Sequence, residues 1–130
     1  MTSEFRSHRD LVVWQRSVEF AHHLHRLVAQ FPAQEQWGIA AELRRASTAI
    51  AANVAAGAAV ATPTDFIGFV NQAIASTTEV EANLEVAIRS GLVDESAAPI
   101  AELLQILRML IRLRLSLIEK HNATVGAPAA

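Results

Sequence analysis

Three histidines, His22, His23 and His25, fall within one turn of a patterned helical stretch, and clustered imidazoles are a common start for a metal site. At about 100° per residue, His22 and His25 stand roughly 60° apart, while His23 points to a different side. Zinc needs three or four converging ligands with outer hydrogen-bond support. No acid sits four residues beyond these histidines. The expectation is a solvated polar face with His25 at an interface edge, and no metal or other cofactor.

The arginines carry the other chemistry. Arg44 and Arg45 point about 100° apart and cannot act as one clamp. Arg44 flanks an apolar stripe and, if its helix runs antiparallel to the next, lies within about a turn of Glu81. An Arg44–Glu81 ion pair fixing helix register is expected, with Arg45 exposed. The alternative is that both arginines contact phosphates. Arg114 falls inside an apolar arc, where a lone charge would cost several kcal/mol, so it should be paired, lie at an interface or face water. Asp10, Asp65 or a residue of a neighbouring subunit are its candidate partners. Ser76, Thr77, Thr78 and Glu79 are too ordinary a run to make a catalytic triad. There is no Gly-rich phosphate loop and no metalloprotease His spacing. The sequence points away from an enzyme and to no small-molecule substrate.

The elements that must position these residues are helices, because alternation at period two never persists. A first helix is expected from Asp10, acting as cap, to about Phe31, stopped by Pro32. A second runs from about Gln36 to Gly57. Thr62, Pro63 and Asp65 are a start signal for the third, and Ser90-Gly91-Leu92 is its stop. Asp94 is expected to cap a fourth whose stretch Ile100–Ile118 is apolar over roughly 200°, twice an ordinary core-facing stripe. The first helix is equally wide. Four helices with short links make an all-α, up-down-up-down antiparallel four-helix bundle over 10–120, with an N-terminal arm at 1–9 and a flexible tail at 121–130.

Bulk properties agree with assembly. Of 130 residues 52% are hydrophobic and only 18% charged, less than the usual quarter, so part of the surface should be hidden in an interface. A net charge of −2 gives no global pull toward nucleic acid or anionic membrane. The chain has no cysteine, which fits a reducing cytoplasm, and its first residues scatter charge where an export signal would be apolar. Arg108, Arg112 and Arg114 argue against a membrane span at 100–118.

Two stretches go beyond patterning. Phe5, Asp10-Leu11, Val13-Trp14-Gln15, Phe31-Pro32 and Glu35 form one. Leu43-Arg44-Arg45-Ala46, Ile50, Asn53-Val54-Ala55 and Gly57, with Ser76 and Glu79-Val80-Glu81 downstream, form the other. Together they resemble the four-helix-bundle proteins encoded by intervening sequences in bacterial large-subunit ribosomal RNA genes. The resemblance implies a cytosolic bundle of poorly defined function and, where assembled, a ring of five subunits. A related branch resembles accessory proteins of diversity-generating retroelements, which are basic and bind nucleic acid. This chain departs from the pattern at Ala49-Ile50-Ala51-Ala52, where relatives carry a proline, and at Ala56, Ala58 and Ala59, where they carry an acid and basic residues.

The expectation is therefore a cytoplasmic, self-assembling protein, a homopentamer by the resemblance, acting as an interaction or scaffold module. Leu11, Trp14, Val18, His25, Ile106, Leu113, Arg114 and Leu117 are its candidate interface residues. The alternative is a nucleic-acid-binding accessory protein acting through Arg6, Arg9, Arg44 and Arg45.

Overall fold

The computed structural model describes residues 7–60 and 62–125. Among them are four α-helices: α1 (Val12–Val28), α2 (Ile39–Ala58), α3 (Pro63–Arg89) and α4 (Ile100–Val125). Single 3-10 turns at His8–Asp10, Ala33–Glu35 and Glu95–Ala97 precede α1, α2 and α4. The helices run up, down, up, down, and each packs broadly on its neighbour in sequence. The seam between α1 and α4 is much thinner.

Local chemistry sets most boundaries. The Thr62 hydroxyl accepts the Asp65 N–H at 3.2 Å, and Pro63 occupies the first turn of α3, where it has no hydrogen bond to lose. At the other end Gly91 adopts φ +78, and the N–H groups of Leu92 and Gly91 reach back to the carbonyls of Ala87 and Ile88. That pairing satisfies the last carbonyls of α3 and turns Leu92 back against the core.

Three boundaries differ from expectation. Helix α1 starts at Val12 with Leu11 as an N-cap that lends no side-chain bond, while Asp10 sits in a 3-10 turn capped by Ser7. Asp94 likewise starts the turn Glu95–Ala97 and not α4, which begins beyond Pro99 with the Leu103 N–H on the Pro99 carbonyl. A proline just before a helix constrains the backbone without breaking the ladder. The tail expected from His121 is helical through Val125, and His121 Nδ1 lies 3.2 Å from Thr64 Oγ1.

The core is built from every helix. Phe20, Leu24 and Val28 of α1, Leu43, Ile50 and Val54 of α2, Val70, Val80 and Leu84 of α3, and Leu103, Ile106 and Leu110 of α4 are fully buried. Their spacing of three and four residues turns one face of each helix inward. No helix among the described residues is long and apolar enough to cross a membrane.

Gly57 shows how close α2 and α3 come. A Cβ there would stand 2.6 Å from Phe66 Cδ1 and 2.9 Å from Phe69 Cβ, inside contact distance of a backbone-anchored atom. Gly57→Ala is expected to lower stability by about 1–3 kcal/mol through overpacking, reduced by the roughly 1 kcal/mol that alanine gains over glycine within a helix. Urea denaturation measures the difference; a variant as stable as the parent would mean that Phe66 and Phe69 can move aside freely.

Candidate functional site: a helix face without cover

The structure disperses the polar candidates. The Arg44 guanidinium donates to Gln36 twice, to Oε1 at 3.1 Å and to the carbonyl at 2.8 Å. Gln36 Nε2 in turn donates to the carbonyls of Val28 and Phe31 at 3.0 and 2.9 Å. Arg44 therefore locks the corner between α1 and α2, and the expected Arg44–Glu81 ion pair is not formed; Glu81 is exposed on α3. Arg44→Ala removes charge-assisted bonds that also orient Gln36, an expected loss of about 1.5–3 kcal/mol in unfolding free energy by denaturant titration. Arg44→Lys should recover little, because an ammonium cannot span the amide and the carbonyl as a planar fork does.

The pair that ties α2 to α3 is one residue along. Arg45 bonds Glu42 of its own helix and reaches Glu79 of α3. The hydrogen bond that it donates to Glu42 and the charge of Glu79 hold its guanidinium above its ordinary pKa. Both arginines that the alternative reading assigns to phosphate thus have protein partners.

Arg9 lies elsewhere, its guanidinium carbon 5.3 Å from the centroid of the Trp14 ring. Arg9 lies in the 3-10 turn before the start of α1, whereas Arg44 is met by His25 near the other end of that helix, so most of the length of α1 separates the two. Arg6 lies outside the described residues. The three described arginines do not make one patch.

The histidines separate too. His25 Nε2 lies 3.2 Å from the Arg44 carbonyl, which can only accept, and 3.0 Å from Thr48 Oγ1. His23 Nδ1 faces Glu102 of α4 at 3.4 Å. His22 is exposed on the wall of a shallow groove between α1 and α2, shared with Val18, Ala21, His25, Thr48 and Ala51. Among the described residues no three His, Cys, Asp or Glu side chains converge.

The interface candidates divide. Ile106 and Leu117 belong to the subunit's own core, 1% and 7% exposed, and are corrected from interface to interior. Leu11, Trp14 and Leu113 are half-buried against that core, and Trp14 is further screened by His8, edge-on at 4.8 Å. Arg114 is half-buried and donates to Asn71 Oδ1 of α3 at 3.0 Å, a neutral amide where a carboxylate was expected. Val18 remains exposed.

Part of the wide apolar arc of α4 lies outside the core. On α4, Ile111, Leu115 and Ile118 are 42%, 55% and 37% exposed, and Leu104 and Leu107 are half-buried without joining the core. At 100° per residue these five occupy an arc of about 80°. Gln105 and Glu102 mark the α1 side of α4 through Arg16 and His23, and Arg114 marks the α3 side through Asn71. The five side chains point outward between those marks, beside Arg108 and Arg112, which make no hydrogen bond or ion pair among the described residues. The signal in the sequence was the width of the arc; its phase depends on where neighbouring helices dock.

The described residues thus form a four-helix bundle with a continuous outward aliphatic face on α4. The chain matches the 23S rRNA-intervening sequence protein family over residues 9–112 and belongs to it. A crystal structure of a protein with unknown function from the S23 ribosomal protein family of Bacteroides thetaiotaomicron has the same fold, with a TM-score of 0.60 at 23% identity over 83% of this chain and 96% of that one. No curated protein matches the chain.

Proposed function

We propose that this chain is a non-enzymatic, self-assembling module of the cytoplasm whose function is to build a homo-oligomer that serves as an interaction scaffold. The observation that carries it is the outward aliphatic stripe of α4. Five large side chains at helical spacing make a contiguous apolar patch of the kind that marks a protein interface.

The number five is carried by the family resemblance, and the stripe alone supports association of any closed order. Light scattering on the purified protein over a range of concentrations tests the reading. The expected mass is a fixed multiple of the 14.1 kDa subunit, five in the ring. A monomer at every concentration would sink it.

Nucleic-acid binding has no supporting observation of its own, since Arg44 and Arg45 are held by Gln36, Glu42 and Glu79 and Arg9 by Trp14. Titration of labelled RNA and DNA at low salt, where phosphate-driven affinity is strongest, is expected to give no binding. Tight, salt-sensitive binding there would make the scaffold reading incomplete.

A further inference from the structure

The stripe of α4 has a counterpart on the same subunit. The groove at the α1–α2 seam is lined by Val18, Ala21, His22, His25, Thr48 and Ala51 and holds about 260 Å³. Its α2 wall belongs to a run, Ala46 to Val60, with no charged residue over fifteen positions. The exposed side chains of that run, Thr48, Ala52 and Ala59, are small. The groove is open and below the roughly 300–1,000 Å³ of small-molecule sites, so it suits a row of side chains better than a metabolite. The stripe is the reverse: a ridge of leucine and isoleucine on a helix that projects them. The groove lies where α1 meets α2, and the ridge lies on the outer side of α4 toward α3. One subunit cannot satisfy both by itself.

The geometry points to a head-to-tail contact in which the α4 ridge of one copy seats in the α1–α2 groove of the next. This rests on the self-assembly reading and specifies its contact. Two unlike, complementary surfaces on one chain make a heterologous interface, which closes into a ring where the rotation between copies permits and otherwise runs on as a filament, whereas a two-fold dimer needs a single self-complementary patch. Charge sets the direction of the incoming helix. Arg108 and Arg112 flank the ridge, while Glu19 and Arg26 lie about two turns apart on the exposed side of α1, none of them with a partner among the described residues. The incoming arginines are favoured at the Glu19 end and repelled from the Arg26 end.

Complementation tests it. Ile111→Glu with Leu115→Glu blocks the ridge, and Val18→Glu with Ala21→Glu blocks the groove; circular dichroism melting confirms that both fold. Each variant alone is expected to be monomeric. A 1:1 mixture retains one intact ridge and one intact groove, so it should form a heterodimer of twice the subunit mass and nothing larger. A groove variant that assembles like the parent, or a mixture that stays monomeric, overturns the ridge-in-groove contact while leaving self-assembly standing. A parent protein that is itself monomeric defeats the self-assembly reading instead. Cysteine pairing gives an independent readout, because the chain has none of its own. Mixed under oxidation, His22→Cys and Leu115→Cys chains should cross-link to each other in preference to themselves. Preferential Leu115→Cys self-linking would show an α4–α4 contact and overturn the inference.

Discussion

Phe20→Ala is expected to lower the free energy of unfolding by about 3–5 kcal/mol. The ring is completely buried on the inner face of α1, in line with Val13, Leu24 and Val28. Truncation removes its transfer energy and leaves a cavity that α1 cannot collapse, because Gln36 and His25 fix the helix to α2 through directed hydrogen bonds. Domains of this size have roughly 5–15 kcal/mol in total, so at least about a fifth of the stability would go. Urea titration should show a lower midpoint with an unchanged slope. Val12→Ala, on the exposed side of the same helix, is the control and should stay within about 0.5 kcal/mol of the parent. Equal effects at the two positions would mean that α1 packs by a different face.

The second large effect concerns assembly and leaves the subunit intact. Ile111 and Leu115 are half in contact with water in one chain, so each is expected to contribute about 0.7–1.5 kcal/mol, half the value of a full burial, once covered by a neighbour. Replacing both by glutamate forfeits that contribution and places carboxylates where they cannot be solvated. The dissociation constant should rise by a factor of at least about 10 to 10², at about 1.4 kcal/mol per tenfold, while the melting temperature measured at high dilution barely changes. Arg108→Ala, at the margin of the same stripe, should act mainly on the association rate and its salt dependence. Light scattering over a dilution series separates these outcomes. A double variant that assembles as tightly as the parent would move the contact to another face.

How legible all this was depended on how local the cause is. Thr62-Pro63 with Asp65, and Ser90-Gly91-Leu92, were readable because a cap is completed by residues within one turn. The start of α1 was not, since Leu11 offers no capping side chain and Asp10 looked like the better candidate. The excess width of the α4 apolar arc was plain from spacing, but a helical wheel has no origin. Ile106 and Leu117 were placed at the interface and lie inside, whereas Ile111 and Leu115, on the same arc, lie outside. The ion pair across α2 and α3 was missed by one position on α2 and two on α3. At Gly57, where a Cβ would meet Phe66 and Phe69, the two helices come closest to overlap. The resemblance to the intervening-sequence proteins included Gly57 among its marks; the structure supplies the physical reason for a glycine there.

The thin seam between α1 and α4 has a kinetic consequence. All three broad seams join helices adjacent in sequence, so nearly every stabilising contact closes a short loop, and such topologies fold in microseconds to milliseconds. The outermost helices, by contrast, are each anchored mainly along one side. Only Arg16 with Gln105 and His23 with Glu102 make polar contacts between them among the described residues. In a dissociated subunit, α1 and α4 should open independently of the α2–α3 hairpin. Their amide hydrogens would then exchange through partial unfolding long before the central pair gives up its own. Covering the α4 stripe with a neighbour is expected to slow that exchange in α4, so amide exchange followed over a dilution series reads assembly from within the helix.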